Sequence, residues 1–466
     1  MTSSTVPEML PPAHAGREGA ELHRVFRTGR TRPLQWRLDQ LAAIEALCDE
    51  QEPAIAAALA EDLGRPPVEA WLGDIASTKG EAVYARKHLK KWMRRRRQPL
   101  PLAQWPGRGW VQYDPLGTVL VIGPWNYPFY LSMGPLVAAV AAGNCALIKP
   151  SELAPATSAL LADLVPKYLD DQAVQVVQGD GSTTQRLIAQ GFDHVLFTGG
   201  TEIGRKIMAA AAPTLTPVTL ELGGKSPVIV AADADLDIAA RRIAWVKLMN
   251  SGQTCIAPDY VLAERSIVDS LTAKIVDNMA AFRAQEPAPG QRIVNSRQYE
   301  RLRDLVGSTS GTVVTGGVCD DAGLRIEPTV IRDPAPSDAV MADEIFGPIL
   351  PVLSIESTAA AVEFINSRPK PLALYIFTGS KRLGERLIDA IPSGGAVINH
   401  VAMHCLVPQL PFGGVGASGM GQYHGRWGFE ALSHRRAVLA KSFKPDLALT
   451  YPPYTDAAIK IMRRLF

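Results

Sequence analysis

Hydrophobic and polar positions alternate with a helical period in the first part of the chain. From Trp36 to about Gly64, apolar residues recur every three or four positions, which predicts amphipathic helices. Pro53 is expected to begin the second of these helices, and Gly64 followed by Pro66 is expected to end it. The pattern therefore predicts two helices in succession.

The middle of the chain follows a different pattern, with short apolar runs. These are TVLVIG at 118–123, CALIK at 145–149, VQVVQ at 174–178, HVLFT at 194–198 and VTLEL at 218–222. Candidate helices lie between the runs, at about 128–142, 155–168, 182–190 and 202–212. Because parallel strands need crossover connections, buried strands that alternate with helices predict a parallel sheet. Ligands of such sheets bind beyond the carboxyl ends of the strands, where the sequence places Asn126, Lys149, Gly199 and Glu221.

A second α/β region is predicted from about 223 to 419. It contains the apolar runs PVIV at 227–230, PILPVLSI at 348–355 and LYIF at 374–377, with helical stretches between them. After Arg436 the pattern becomes irregular, and the last dozen residues predict a short amphipathic helix. We expect that helix to pack on the protein body or on a partner subunit rather than on a membrane.

Composition narrows the function classes. The 466 residues predict two or three domains. Lys and Arg total 48 against 46 Asp and Glu, so the net charge gives no electrostatic reason to expect nucleic acid as a partner. The densest basic run, Arg94–Arg97, is interpreted as a solvated helix end. No apolar run approaches the roughly 18 residues that span a bilayer.

The cysteines favour a reducing compartment. The five cysteines are scattered and form no CxxC pair, which argues against a disulfide framework and against a bound metal. The first twenty residues lack the apolar segment of a signal peptide, and no N-x-[ST] sequon occurs. We therefore expect a cytoplasmic protein without a metal site.

Two residues are candidates for chemistry on local sequence alone. Cys255 lies in NSGQTCIAP, whose small polar residues suit a turn that presents a thiol to a cleft, although a lone cysteine is as often a small buried hydrophobe. Glu221 lies in an apolar strand, where a glutamate is costly unless it is paired or used. It is either a strand-end residue in a salt bridge, for example with Lys225, or a desolvated general base.

Three further segments lie at the expected ligand edge. Asn126 could donate to an oxyanion, but in isolation an N-cap is favoured. Lys149 and Glu152 could hold ribose hydroxyls, or could form a solvated turn opened by Pro150. The glycines of FTGGTEIG would let a pyrophosphate approach a helix N-terminus: Gly199, Gly200 and Gly204. The only literal GxGxxG, at 414–419, follows no predicted strand and is interpreted as a coincidental match.

Together these segments resemble the aldehyde dehydrogenase superfamily, and its class 3 branch in particular. The resemblance covers about 36–454, and seven motifs in the same order make it specific. They are PLGTVLVIGPWNYPF, ALIKPSE, FTGGTEIG, TLELGGKSP, NSGQTCIAP, EIFGPILPV and LPFGGVGASGMGQYHG. The YHG sequence and the YPPY tail are similar to the branch that includes fatty and aromatic aldehyde enzymes.

The resemblance implies a role for each matching residue. Cys255 would be the nucleophile, Glu221 the base, and Asn126 an oxyanion donor together with the amide of the cysteine. On the cofactor side, Lys149 and Glu152 would hold the adenosine ribose. Glu344 and Phe346 would contact the nicotinamide riboside, with Trp125 and the three glycines also assigned to cofactor binding. Neighbouring motifs suggest substrate-funnel candidates: Trp245, Met249, Tyr127, His400 and His404, the last of these equally a packed structural histidine.

The resemblance implies NAD(P)-dependent oxidation of an aliphatic or aromatic aldehyde to an acid by a homodimer. Glu152 should favour NAD, while NADP stays open. The expected architecture is a Rossmann-like cofactor domain (1–98 and 118–222), a catalytic α/β domain (223–420), and an oligomerisation hairpin and tail (99–117 and 421–466). The alternatives are an acylating, coenzyme A-dependent dehydrogenase, which typically lacks the base glutamate, and an inactive structural homologue.

Overall fold

A computed structural model describes residues 17–285 and 291–465. Its helices are α1 (Glu18–Arg27), α2 (Leu34–Glu50), α3 (Glu52–Leu63), α4 (Pro67–Ala70), α5 (Ala76–Trp92), α6 (Tyr130–Ala142), α7 (Pro155–Tyr168), α8 (Gly181–Ile188), α9 (Thr201–Ala211), α10 (Leu236–Leu248), α11 (Val268–Arg283), α12 (Ser296–Ser308), α13 (Ala339–Ala342), α14 (Thr358–Asn366), α15 (Lys381–Ala390), α16 (Gly425–Ala431) and α17 (Asp456–Leu465).

The strands are β1 (Arg96–Gln98), β2 (Gly107–Pro115), β3 (Thr118–Ile122), β4 (Cys145–Lys149), β5 (Val174–Val176), β6 (His194–Gly199), β7 (Val218–Leu222), β8 (Pro227–Val230), β9 (Tyr260–Glu264), β10 (Thr312–Thr315), β11 (Cys319–Asp320), β12 (Arg325–Ile326), β13 (Thr329–Arg332), β14 (Ile349–Ile355), β15 (Ala373–Phe377), β16 (Gly395–Ile398), β17 (Gly419–Met420) and β18 (Ser433–Lys441). Single turns of other helix types connect some of them, including a π-helical turn at Trp71–Ile75.

The first large sheet is built from the five predicted apolar runs. Its strand order is β17-β7-β6-β3-β4-β5, and all neighbours are parallel except β17, which is antiparallel to β7. Both faces are buried: the N-terminal helices α2, α3 and α5 pack with α6 and α7 on one face, and α1, α8 and α9 pack on the other. Coverage on both faces explains why these strands are continuously apolar rather than alternating.

A second sheet lies C-terminal to the first, with order β10-β13-β14-β9-β8-β15-β16. Its neighbours are parallel apart from the edge pair β10 and β13. Two clusters of buried residues cover its faces, one of them including α10 and α11. The mixed α/β architecture with parallel sheets that the sequence predicts is confirmed.

The chain departs from the predicted pattern at the hairpin and at the end of the second region. Arg94–Arg97 is not a helix end: α5 ends at Trp92, Arg96 begins an edge strand, and its guanidinium stacks 4.6 Å from the ring of Tyr113. That strand joins β2 and β18 in an antiparallel three-stranded sheet. Gly419 and Met420, expected in the second region, form β17 of the first sheet because they pair with Glu221 and Leu220. Residues 414–418 of the GxGxxG match form the loop before that strand, and its last glycine, Gly419, begins the strand.

Within the described ranges, no helix has the length and apolar character needed to cross a membrane. The predicted C-terminal helix is present as α17.

Candidate active site

Glu221 is the last but one residue of β7, and its carboxylate is buried beyond the carboxyl end of the first sheet. The side chain is 3% exposed, and neither oxygen has a hydrogen-bond partner among the described residues. Burial raises the pKa of Glu221 well above its usual range. The expected alternative partner, Lys225, instead pairs with Asp259 and donates to the carbonyls of Val340 and Asp343 at 2.9 Å. A salt-bridged Glu221 is therefore wrong, and the carboxylate is left as a desolvated proton acceptor.

Glu344 lies against the same strand end. A Cβ at Gly223 would stand 1.9 Å from the Glu344 Oε2 atom, so the close approach of this carboxylate requires glycine. Burial, followed by the charge of Asp259, raises the pKa of Glu344 to about 8, and the amide of Gly224 opposes the shift by donating a hydrogen bond. Two residues further on, Phe346 meets Trp125 edge to face with ring centroids 5.3 Å apart.

Cys255 ends a loop that follows α10 and has an unusual backbone. Asn250, Ser251 and Gly252 all have positive φ, at 51°, 51° and 68°. Three consecutive left-handed residues are costly for non-glycine side chains and persist only when the surroundings fix them. Side-chain bonds supply that constraint: Gln253 donates to the Asn250 and Arg292 carbonyls and accepts from the Val294 amide.

The loop with Asn126 is tied directly to the cysteine loop. The Asn126 Nδ2 atom donates to the Gln253 carbonyl at 3.1 Å, and the Asn250 Nδ2 atom donates to the Asn126 carbonyl at 3.0 Å. The Tyr127 hydroxyl lies 2.9 Å from the Thr254 Oγ1 atom. Asn126 does not cap α6, whose N-cap is Phe129. The simple N-cap interpretation is therefore wrong, and the amide is held two residues along the chain from the thiol.

The thiol and the two carboxylates share one electrostatic environment. The pKa of Cys255 is raised, first by burial and then by the charges of Glu344, Cys405 and Glu221. The ionisation of the thiol is therefore coupled to that of both glutamates. Burial also gives Glu221 a high proton affinity. A thiol, a side-chain amide and a desolvated carboxylate can serve as a nucleophile, a hydrogen-bond donor and a proton acceptor.

The remaining predicted residues line the same edge of the first sheet. Lys149 ends β4, is buried, and pairs with the half-exposed carboxylate of Glu152 at 2.8 Å. Gly199 ends β6, and Gly200 precedes α9, whose N-terminus has no side-chain cap. A Cβ at Gly204 would approach Leu222 to 2.6 Å, so glycine lets α9 pack directly on β7. This edge can accept an extended anionic cofactor, with free helix amides for its phosphates.

Sequence reasoning missed the residues behind the two loops. Arg65, Glu69 and Asp74 are buried or half-buried in the segment between α3 and α5 and contact the loops that hold Asn126 and Cys255. In the sequence, Arg65 is only a charged residue between Gly64 and Pro66, where a helix stop is expected. No local pattern signals that its side chain is buried.

Of the funnel candidates, His404 and Trp245 now have defined surroundings. Burial lowers the pKa of His404 to about 4, and its ring packs against Phe412 with centroids 5.6 Å apart. That environment favours the packed structural interpretation of His404. Trp245 meets His400 edge to face at 6.4 Å.

Comparisons with known proteins show which proteins this chain resembles. The sequence profile described as "Aldehyde dehydrogenase family" matches residues 17–438. The chain is 45% identical over 448 residues to aldehyde dehydrogenase family 3 member A2 of Rattus norvegicus, which covers 95% of this chain and 92% of that protein. It is 43% identical over 435 residues to the rat protein "Aldehyde dehydrogenase, dimeric NADP-preferring", covering 92% of this chain and 95% of the relative. Among solved structures, the substrate-bound state of AldH from Staphylococcus aureus superimposes with a TM-score of 0.93 at 39% identity, covering 97% and 99% of the two chains.

Proposed function

The chain belongs to the aldehyde dehydrogenase family, and from this premise we propose how its own residues oxidise an aldehyde with NAD(P). The proposal rests on one observation above all: the buried carboxylate of Glu221 has no hydrogen-bond partner among the described residues, and its charge contributes to raising the pKa of the Cys255 thiol. A partner would be expected if that carboxylate were structural, because an unpaired buried charge is costly. The absence of a partner is explained if this carboxylate takes up a proton during turnover.

In the first half of the reaction, the Cys255 thiol releases its proton to water, and the thiolate attacks the aldehyde carbon. The oxygen of the resulting thiohemiacetal is negative, and it accepts hydrogen bonds from the Asn126 side-chain amide and from the Cys255 backbone amide. The bonds between the two loops hold these donors near the sulfur. NAD(P), held by the residues of the sheet edge described below, would supply the acceptor for the hydride that leaves the aldehyde carbon, and the acyl group would then stay on Cys255 as a thioester.

In the second half, Glu221 takes a proton from a water molecule that attacks the thioester carbonyl. Its raised pKa makes it a stronger base than an exposed glutamate. The tetrahedral adduct then collapses, the carbon–sulfur bond breaks, and the acid leaves with the Cys255 thiolate restored. Deacylation by water rather than by coenzyme A therefore depends on this glutamate.

The residues of the sheet edge fit a nicotinamide dinucleotide. Lys149 and Glu152 would hold the adenosine ribose, and the glycine-flanked start of α9 would receive the pyrophosphate at Gly199, Gly200 and Gly204. Glu344 and Phe346, with Trp125 packed on the latter, would hold the nicotinamide half. The half-exposed charge of Glu152 favours NAD over the 2′-phosphate of NADP.

We propose fatty or aromatic aldehydes as substrates, in line with the family 3 relatives. A panel of short aliphatic, long aliphatic and aromatic aldehydes, each assayed with NAD and with NADP, tests this. We expect the highest kcat/KM with NAD and a long-chain or aromatic aldehyde, and free acid as the product. An absolute requirement for coenzyme A would instead support the acylating alternative, and no turnover with any pair would support the inactive homologue.

We also propose a homodimer in the cytoplasm. Large apolar side chains are exposed on and near the three-stranded sheet: Leu102, Trp105, Leu439, Phe443, Tyr451 and Tyr454. Their exposure suits burial against a second copy, with 99–117 and 421–466 as the contact segments, 1–98 and 118–222 for cofactor binding and 223–420 for catalysis. All five cysteines are free thiols, which suits a reducing compartment. Mass measurement by light scattering tests the dimer.

A further inference from the structure

A buried ion pair lies directly behind the Asn126 loop. Arg65 and Asp74 pair with no exposure of either side chain. The other end of the Arg65 guanidinium donates to the backbone carbonyl of Asn126, and its Cζ atom lies 4.5 Å from the centre of the Tyr127 ring. The guanidinium therefore contacts two successive residues of the loop that supplies the proposed oxyanion donor.

Asp74 extends this contact to the start of α6. Its Oδ1 atom accepts a hydrogen bond from the Tyr130 amide at 2.9 Å. The Arg65–Asp74 pair thus holds both ends of the turn from Asn126 to Tyr130. Gly73 leaves room for the Tyr127 ring, since a Cβ there would stand 2.8 Å from it. The turn is therefore held on one side by the Arg65–Asp74 pair, whose two side chains are buried and hold each other in place.

The same segment also reaches the cysteine loop. The Glu69 Oε2 atom accepts from the Asn250 amide at 3.0 Å and from the Gln291 side chain. The segment includes a π-helical turn at Trp71–Ile75, a form that is often found at functional sites. Residues 65–74 therefore contact both loops of the proposed site without contributing a reacting group.

An ion pair of this kind is poor evidence for stability. Removing two charges from water is costly, and apolar residues of similar size often stabilise a fold as well or better. What an apolar pair could not supply is a hydrogen bond to the Asn126 carbonyl. We infer that Arg65 is a positioning residue, which fixes the Asn126 amide at the distance that the developing oxyanion requires.

This inference rests on the proposed role of Asn126, so the test is a double-mutant cycle in kcat/KM. Asn126→Ala should lower kcat/KM by about 10²- to 10³-fold. Arg65→Met should lower it by about 10²-fold in the native background, as expected for a small misplacement of a catalytic donor. In the Asn126→Ala background, Arg65→Met should cause little further loss, because no donor is left to misplace.

The Asn126→Ala variant tests the oxyanion role of Asn126, and the double-mutant cycle tests the positioning role of Arg65. An unchanged kcat/KM in Asn126→Ala would remove the oxyanion role itself. A large effect of Asn126→Ala combined with the full Arg65→Met loss in both backgrounds would leave that role intact and overturn the positioning role. If Arg65→Met does not fold, Arg65→Lys is used in its place. The lysine keeps a positive charge beside Asp74 but cannot contact both acceptors and the Tyr127 ring at once. Its loss of kcat/KM should again disappear in the Asn126→Ala background.

The chain offers a matched control in Arg37. This arginine is also buried, and its guanidinium donates to the carbonyls of Thr31, Arg32 and Ala141, away from the site. Arg37→Met should lower the melting temperature as Arg65→Met does, yet leave kcat unchanged. The dissociation constant for NAD, measured by fluorescence, should be unaffected in both variants. An equal loss of kcat in Arg37→Met would show that any buried arginine matters equally and would overturn the inference.

Discussion

Glu221, near the end of β7, and Glu152, three residues after β4, lie at the same edge of the first sheet, yet their surroundings are opposite. Glu221 is buried without a partner, and burial raises its pKa. Glu152 lies at the other end of the proposed site, is 45% exposed, and is paired with Lys149. The negative charge of Glu221 is costly because it is buried, whereas that of Glu152 is solvated and paired with the charge of Lys149.

The difference teaches which task each carboxylate can perform. A group that exchanges a proton during turnover gains from desolvation, because a higher pKa makes it a better base near neutrality. A group that accepts hydrogen bonds from a cofactor works best as a permanent anion, which exposure and a lysine neighbour maintain. Changes at the buried end should therefore affect the chemical steps, and changes at the exposed end should affect only cofactor choice.

The largest expected effect is at Cys255, a partly buried thiol whose pKa the charge of Glu221 helps to raise. Cys255→Ala removes the atom that forms the thioester, so dehydrogenase turnover should be abolished while the variant stays folded. The measurement is the absorbance of reduced nicotinamide under saturating aldehyde. Cys48→Ala is the matched control, since Cys48 is a buried thiol in α2 whose pKa burial raises to about 12. Normal turnover in Cys255→Ala, or a total loss in Cys48→Ala, would contradict the assignment.

The next effect, at Glu221, tests the buried end of the comparison. Glu221→Gln keeps the shape but removes the base, so deacylation should slow by about 10²- to 10⁴-fold. Rapid mixing should then show a burst of reduced cofactor followed by slow turnover. Equal slowing of the burst and the steady state would count against a role confined to the second half.

The raised pKa of Glu221 also predicts how the steady-state rate and the melting temperature depend on pH. A base is active above its pKa, so the steady-state rate of the native enzyme should rise with pH through the raised pKa of Glu221, and the glutamine variant should lose that rise. The same burial makes ionised Glu221 unfavourable for the fold as pH increases above the value of an unfolded glutamate. Glu221→Gln should therefore raise the melting temperature more in alkaline than in acidic buffer. Glu430→Gln, at a glutamate paired with Arg96 and Arg426, should reproduce neither effect.

The strand ends were predictable because they depend on local pattern. The runs at 145–149, 218–222 and 227–230 match β4, β7 and β8 residue for residue, and the others differ by one or two positions. Once those strands are parallel, Lys149, Gly199 and Glu221 must meet at one edge. The cysteine loop was also visible locally, since NSGQTC lacks the apolar residues of a core segment.

What was not predictable depends on contacts between distant parts of the chain. Lys225 finds Asp259 rather than its near neighbour Glu221, and Gly419 returns to pair beside Glu221 across almost 200 positions. Arg65 is buried where the Asp74 carboxylate and the Asn126 carbonyl both accept hydrogen bonds from its guanidinium. Local spacing contains no information about which carbonyl or carboxylate will be opposite a given side chain.

The smallest expected effect is at Glu152, the exposed end of the comparison. Glu152→Gln removes the negative charge that would face the 2′-phosphate of NADP, so kcat/KM with NADP should rise relative to NAD. Because the side chain is half exposed, water and salt screen that repulsion, and we expect a change of about 5- to 10-fold, near 1 kcal/mol. As salt is added, the ratio of kcat/KM with NADP to kcat/KM with NAD in Glu152→Gln should move closer to that of the native enzyme.

The control for Glu152→Gln is another exposed ion pair, because the claim concerns position rather than charge. Asp163 pairs with Lys167 on the outer face of α7, and both side chains are more than half exposed. Asp163→Asn changes the net charge of the protein by the same amount, so a long-range effect would shift its cofactor ratio equally. We expect no change in the ratio of kcat/KM with NADP to kcat/KM with NAD in Asp163→Asn. In Glu152→Gln, the rapid-mixing time course of reduced cofactor should be the same as that of the native enzyme. A Glu152→Gln variant that loses deacylation would erase the distinction between the two carboxylates, since an exposed and paired group would then be acting in the chemical step.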